Sequence, residues 1–420
     1  MDTLPSFVDH FVRLTTAFNR ILRLTGATVQ SAAFTEQRLV IALRRRRRRL
    51  VCPCGASTTA RYDSSRRRWR QLDFGVCQVW LEADIHRIHC RSCARVRTER
   101  VPWARPNARH TTDFENVAAW PAQRMDKASI ARLLRCSWAA VDAIVTRVAA
   151  DHLDDARLDQ LYRIGVDEIS YKRGHKFLTI VADHDTGKVV WVGKERSKAA
   201  FEDFFAALGP ERSAAVEAIS LDGSSVYLPV TREQIPQARI CLDPFHVIKW
   251  TNEVVESVYR AEATTMPSGP GMPERRDWRR ARFAVRAGRE NLDDHHRQIL
   301  SLLRRHRYRL WRTWELKEQL RDLYRTTDPA DARAYLNRWC TAAKRSRIPA
   351  FRNLVRRIEK HADAVVAAVE LGLSNSRLEG INARIRLIQR RGFGYRNLDA
   401  LTAAIYLCLG GVALNLPTET

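Results

Sequence analysis

The sequence predicts a multidomain α/β chain, on three observations: its length, a run of short strands that deliver aspartates in the middle third, and a long helix-prone stretch behind them. At 420 residues the chain exceeds what one hydrophobic core supports, so about two to four domains are expected. Seventy-two Lys and Arg against 47 Asp and Glu give a formal charge of +25, a field that attracts polyanions and makes nucleic acid the expected partner. No apolar run reaches the roughly 18 residues of a membrane span, and MDTLPSFVDHF lacks the basic-then-apolar pattern of a secretory signal. A soluble, cytoplasmic, nucleoid-associated bacterial protein with no membrane partner is expected. Nine cysteines, an odd number with four in paired spacings, fit reduced thiols better than a disulfide framework.

Residues 1–50 read as an N-terminal arm ending in the basic run Arg44, Arg45, Arg46, Arg47, Arg48 and Arg49, which is either a solvated segment or a grip on phosphates. Residues 51–106 are short-stranded and cysteine-bearing, a module whose core is too thin to stand without a metal. The period then turns helical over 107–155. Asp126 caps a helix through Leu134, and Ser137 caps another from Trp138 to about Ala150. Only Arg135-Cys136-Ser137 separates them, the length of a helix-turn-helix DNA-binding motif, and Arg147 on the second helix joins the basic run as a candidate DNA contact.

Between 156 and 260, LYRIGVDEIS, KFLTIVAD and KVVWVG read as three strands. A helix follows, with Ser197 as N-cap and Gly209 as its stop. VEAISLD and ARICLD are apolar strands that each end at an aspartate, as buried parallel strands do when they bring a side chain to a site. This order is the ribonuclease H-like plan. Residues 261–372 read as an all-helical insertion, broken at 266–273, with Trp278, Trp311, Trp314 and Trp339 as core. Residues 373–420 return to the core with two helices split by Gly392-Phe393-Gly394.

Strand alternation places Asp167 with Arg163 and Gly165 on one face and turns Glu168 to the other, toward a structural pairing or a contact behind the metal ligands. Asp222 and Asp243 both close apolar strands. Asp222 ends the fourth strand, which in this plan lies beside the first, so it is the expected second carboxylate. The third should come from a later helix. Asn375, Glu379, Asn382 and Arg386 form one polar stripe there, beside the apolar stripe Leu378, Ile381, Ile385 and Ile388. Asp167, Asp222 and Glu379 would hold two Mg²⁺ or Mn²⁺ ions about 4 Å apart, with no covalent enzyme nucleophile needed. Asp243, His246, Asn375 and Asn382 are possible accessory residues.

Four segments in this order, IGVDEISYKRGHKFLTIVADHDTGKVVWV, AISLDGSSVY, ARICLDPFHVIK and SNSRLEGINARIR, make the chain resemble the ISL-three-type insertion-sequence transposases from about Leu22 to Gly411. The resemblance implies a DDE triad on Asp167, Asp222 and Glu379 and a DxxH motif on Asp243 and His246. It also implies an N-terminal zinc finger, carried onto Cys52, Cys54, Cys90 and Cys93, followed by a helix-turn-helix. The implied activity is binding of terminal inverted repeats, DNA cleavage and strand transfer to target DNA by a homo-oligomer assembled on DNA. A catalytically silent DNA-binding regulator derived from a transposase is the alternative. Three departures stand out. The first knuckle, Cys52-Pro53-Cys54, is one residue short, leaving Cys77, His86 and His89 as alternative ligands. Gly223-Ser224-Ser225 stands where Met-Ser-Pro is expected, and the turn between the two DNA-binding helices lacks its common glycine.

Overall fold

The computed structural model describes residues 13–46, 48–223, 225–264, 275–306, 308–325, 328–395 and 397–418. Arg47, Ser224 and the break at 266–273 lie outside them. The chain divides into two compact units, 1–154 with 388–420, and 155–387.

In the first unit, α1 (Leu14–Leu22) precedes β1 (Ala27–Thr35) and β2 (Arg38–Arg45), an antiparallel pair. β3 (Leu50–Val51) and β4 (Ser57–Thr58) make a small ribbon, and β5 (Asp63–Phe74), β6 (Cys77–Cys90) and β7 (Arg95–Thr98) follow. The five-stranded sheet runs β1-β2-β6-β5, with β7 also on β6. Alternate residues Leu39, Ile41 and Leu43 of β2 and Val79, Leu81 and Ala83 of β6 are buried together, the two-residue period of a half-covered sheet. Residues 27–45, expected as part of an arm, therefore share a sheet with the cysteine-bearing strands. The parallel pairing of β2 with β6 joins residues forty positions apart, such as Arg38 and Gln78, which local pattern does not show.

Helices α2 (Thr112–Ala122), α3 (Lys127–Leu133) and α4 (Trp138–Asp151) come next. Asp126 accepts from Ser129 N at 2.9 Å and Ser137 from Ala140 N at 3.1 Å, so both expected caps form, each worth about 1 kcal/mol. Where a glycine would be usual in the turn, Arg135 takes φ 48°. Its guanidinium bonds Asp73 at 2.6 Å and the Val76 carbonyl at 2.9 Å, which offsets the cost of that conformation.

The second unit is built on β8 (Arg163–Lys172), β9 (Lys176–Asp183) and β10 (Val189–Lys194), successive antiparallel neighbours. α5 (Lys198–Leu208), capped by Ser197 and stopped at Gly209 with φ 80°, buries Phe201, Phe204, Phe205 and Leu208. α6 (Pro210–Ala214), β11 (Ala218–Leu221), α7 (Tyr227–Gln234) and β12 (Arg239–Leu242) complete the layer. The sheet order is β10-β9-β8-β11-β12, with β11 parallel to both β8 and β12.

Seven α-helices follow among the described residues: α8 (Pro244–Thr264), α9 (Arg275–Arg286), α10 (Asp294–Arg305), α11 (Arg309–Arg325), α12 (Ala332–Arg345), α13 (Pro349–Lys360) and α14 (Ala362–Glu370). Trp278, Trp314 and Trp339 are buried in their core and Trp311 packs against it, as expected. α15 (Ser376–Arg391) returns to the sheet, and α16 (Leu398–Leu409), capped by Asn397, packs on α4 within the first unit. No helix among the described residues is long and apolar enough to cross a membrane.

Candidate active site and metal centre

The two parallel pairings bring three aspartates to one level. Ser220 lies opposite Gly165 in the β11–β8 register, so extending each strand by two residues sets Asp222 beside Asp167. Leu221 lies opposite Leu242, so Asp243 is level with Asp222 one strand further out. Glycine at 165 lets a helix close on this point. A Cβ there would lie 2.4 Å from Leu378 Cδ1, 2.8 Å from His184 Nε2 and 2.9 Å from Ser220 Oγ. Leu378, Ile381 and Ile385 are buried, so this part of the expected apolar stripe seats α15 in the second unit; Ile388, which falls in the first unit, is buried as well.

One asparagine ties the start of α15 to the strands that carry the aspartates. Asn375 gives its backbone N–H to Asp243 Oδ1 at 3.1 Å and its side-chain amide to the Val166 carbonyl at 3.2 Å. Its Oδ1 accepts from Ser220 Oγ, which also meets His184 Nε2 at 2.7 Å. The Asn375 carbonyl accepts from Glu379 N at 2.8 Å, which makes it the helix cap. Two turns on, Asn382 Nδ2 donates to Asp167 Oδ2 at 2.8 Å, while Asp167 Oδ1 accepts from Glu168 N at 2.8 Å. The polar stripe is divided: Asn375 and Asn382 are buried, whereas Glu379 and Arg386 are exposed.

Asp243 is 2 % exposed, and both its oxygens are engaged, one by Asn375 N and the other by His246 Nδ1 at 3.0 Å. Contact with Asp243 raises His246 above the ordinary imidazole value. Burial, reinforced by Asp222 and Asp243, pushes Asp167 up to about 6. Burial likewise pushes Glu168 up to about 7, helped by Asp222 and Asp167 and opposed by Arg196. Glu168 makes the structural pairing expected of it, with Arg196 at 2.9 Å, and Arg196 also stands 3.9 Å from Asp222. Sequence reasoning passed over Arg196, Ser220 and His184. A serine in the apolar strand AISLD was the one local signal.

The carboxylates here are of a kind that hard cations take, although among the described residues only Cys52, Cys54, Cys90 and Cys93 stand close enough together to hold one ion. Asp167, Glu168, Asp222 and Asp243 offer oxygen atoms, and Glu168 Oε2 and Asn382 Oδ1 beside Asp167 are buried without hydrogen-bond partners among the described residues. Crowded carboxylates with raised affinity for protons are ones that a divalent ion would also relieve.

In the first unit, Cys52, Cys54, Cys90 and Cys93 form a group whose sulfurs all lie within 4.8 Å of one another. Cys52 and Cys93 are 3.9 Å apart, Cys54 and Cys90 3.6 Å. Sulfurs on a tetrahedral ion with arms of about 2.3 Å stand roughly 3.8 Å apart, so the four thiols can hold one metal. The short knuckle still closes, and Cys77, His86 and His89 are not in the group.

Two of the candidate DNA contacts are engaged within the protein. Arg147 pairs with fully buried Glu115 at 2.6 Å, and Arg45 pairs with buried Glu99. A buried carboxylate stripped of its partner is costly, so these arginines are held by the fold. Arg44, Arg46, Arg48 and Arg49 are exposed.

Comparison with known proteins matches residues 164–405 to the transposase family of ISL3 type, DDE class, and residues 99–149 to the helix-turn-helix domain of transposase family ISL3. The chain is 37% identical over 404 residues to the transposase for insertion sequence element IS1557 of Mycobacterium tuberculosis, covering 90% of each chain. It is 28% identical over 350 residues to the transposase for insertion sequence element IS1001 of Bordetella parapertussis, covering 82% of this chain and 85% of the other. The fold and site thus meet in a mixed α/β DNA transposase. The chain belongs to the ISL3 family of insertion-sequence transposases, with a helix-turn-helix DNA-binding region and a DDE transposase region.

Proposed function

We propose that the chain cuts DNA at the terminal inverted repeats of its element and joins the freed ends to target DNA, with Asp167, Asp222 and Glu379 holding two Mg²⁺ or Mn²⁺ ions on a ribonuclease H-like core. The observation that carries this reading is the level pairing of Asp167 and Asp222 on adjacent parallel strands, beneath a helix anchored by Asn375. Such ions, when bound, activate water or a 3′-hydroxyl and stabilise the leaving oxygen. The protein's own groups supply the geometry. Asn382 fixes the rotamer of Asp167. Arg196 offsets negative charge between Glu168 and Asp222. Asp243 anchors α15 through Asn375 and orients His246 toward a role beside the site. Glu379, exposed one turn from the cap, closes the cage from the helix side.

The four-cysteine cluster takes Zn²⁺ in a structural role, because an all-thiolate tetrahedral set favours that ion. Double-stranded DNA is the partner, held through residues 1–150, and a dimer assembled on DNA supplies one site for each element end.

The test is to incubate the full chain with labelled terminal-repeat duplex and Mg²⁺ and to resolve cleaved and joined products. Both are expected. Binding without metal-dependent cleavage would instead favour the regulator, and cleavage without joining a nuclease.

A further inference from the structure

Between residues 332 and 360 the chain carries nine Lys and Arg against Glu359 alone, a net charge of +8 over 29 residues. Helices α12 and α13 span this segment, and their burial shows where the charge goes. Leu336, Trp339, Cys340 and Ala343 of α12 and Phe351, Leu354, Val355 and Ile358 of α13 are buried, a helical period that turns the basic residues outward.

Part of that charge is already answered. Arg333 pairs with Asp363, Lys344 with Glu359 at 2.6 Å, and Arg357 lies over the Trp250 ring at 3.6 Å. Arg338 and Arg345 are exposed and make no ion pair among the described residues. They line an open groove of about 770 Å³ with Arg312, Asn337 and Thr341. Asn337, Thr341 and Arg345 recur every four residues, with Arg338 beside the first, so the groove has guanidiniums at both ends and the Asn337 amide between them, while the Thr341 hydroxyl donates to the Asn337 carbonyl at 3.0 Å.

We propose that this groove, with the neighbouring basic face of α13, holds the phosphate backbone of double-stranded DNA, as a contact surface additional to the helix-turn-helix. The donors are of the kinds that meet phosphate oxygens. An acidic protein is the weaker match, because protein interfaces centre on apolar and aromatic anchors and, among the described residues, Ala342 is the only apolar one lining the groove. Contacts of this kind set position along a duplex without reading its bases. The inference needs the chain to act on DNA, and it is independent of which carboxylates hold metal.

The test measures binding of the full chain to a fluorescent duplex lacking terminal repeats, by anisotropy across a range of salt. Arg338→Gln with Arg345→Gln should weaken binding about tenfold at moderate salt and lower the slope of log affinity against log salt by about 2, one for each lost phosphate contact. Arg338→Lys with Arg345→Lys keeps the charge and should keep the slope. Arg333→Gln with Lys344→Gln, at the paired positions, should change it by less than about half a unit. Equal melting temperatures verify the fold, and if the Gln pair melts early the Lys pair decides. An unchanged slope in the Gln pair, or a slope lost equally in the Lys pair, overturns the proposal. So does displacement of an acidic peptide, but not of duplex, by the Gln substitutions. An Asp167→Asn chain that binds this duplex with the wild-type slope while failing to cleave terminal-repeat DNA separates this surface from the catalytic reading.

Discussion

Asn382 donates its side-chain amide to Asp167 across 2.8 Å, from a helix that enters the chain more than two hundred residues later. The bond fixes one oxygen of Asp167, and Glu168 N fixes the other. Asn382→Ala is expected to cut the cleavage rate and the Mn²⁺ affinity by about 10- to 100-fold, the usual cost of losing a group that orients a metal ligand. DNA affinity should stay within about twofold, since the helix-turn-helix region is untouched. Single-turnover cleavage beside a binding titration separates the two.

Gly165 explains why α15 can lie against β8 at all. Gly165→Ala places a methyl group against Leu378, His184 and Ser220, all within 3 Å of it. Overpacking of this kind costs about 1–3 kcal/mol, which denaturant unfolding would read directly. Because the displaced helix carries Glu379 and Asn382, activity should fall further than stability does. A variant with full stability and full activity would show that α15 is not seated as described.

The sequence spoke clearly where its signals were local. Ser137 and Ser197 cap the helices they were expected to cap, and the aspartates of AISLD and ARICLD do follow strands, β11 buried throughout and β12 buried in its last two residues. Contacts distant in sequence were hidden. Asn375 reads as one member of a polar stripe, yet its partners Asp243, Ser220 and Val166 lie 132, 155 and 209 residues away. Arg147 reads as a free cation on a DNA-binding helix until Glu115, 32 residues earlier, is seen buried beneath it. Glu379 is exposed while its stripe-mates Asn375 and Asn382 are buried, a division that the stripe alone does not show.

The raised carboxylates set a pH window. Burial holds Asp167 near 6 and Glu168 near 7, so the folded protein binds these protons more tightly than the unfolded chain does. These groups therefore add stability as pH falls through that range and lose that contribution as pH rises through it. A divalent ion competes for the same oxygens, and one proton at Asp167 should weaken Mn²⁺ binding about tenfold between pH 7 and pH 5. Titration calorimetry of Mn²⁺ across that range is the check, and a flat profile would place the ion elsewhere.

Cys93 is one of the four proposed zinc ligands, and its loss should empty the four-cysteine site. Cys93→Ser is expected to take bound zinc from about one equivalent to below half. It should also loosen the small core of Leu50, Cys52, Ile88 and Cys90, seen as earlier melting of the first unit. Metal analysis of undenatured protein gives the first reading and protease sensitivity of residues 50–98 the second.

The central claim is tested most directly by Mg²⁺-dependent cleavage of terminal-repeat DNA with Asp222→Asn and Asp243→Asn side by side. Asp222 stands beside Asp167 as a proposed ligand, whereas Asp243 is an enclosed anchor whose oxygens are both engaged. The asparagine at 243 keeps an acceptor for Asn375, so that variant should retain measurable cleavage, while Asp222→Asn, like Asp167→Asn and Glu379→Gln, should abolish it and leave DNA binding intact. Cleavage that survives Asp222→Asn and is lost with Asp243→Asn would contradict the proposed metal site.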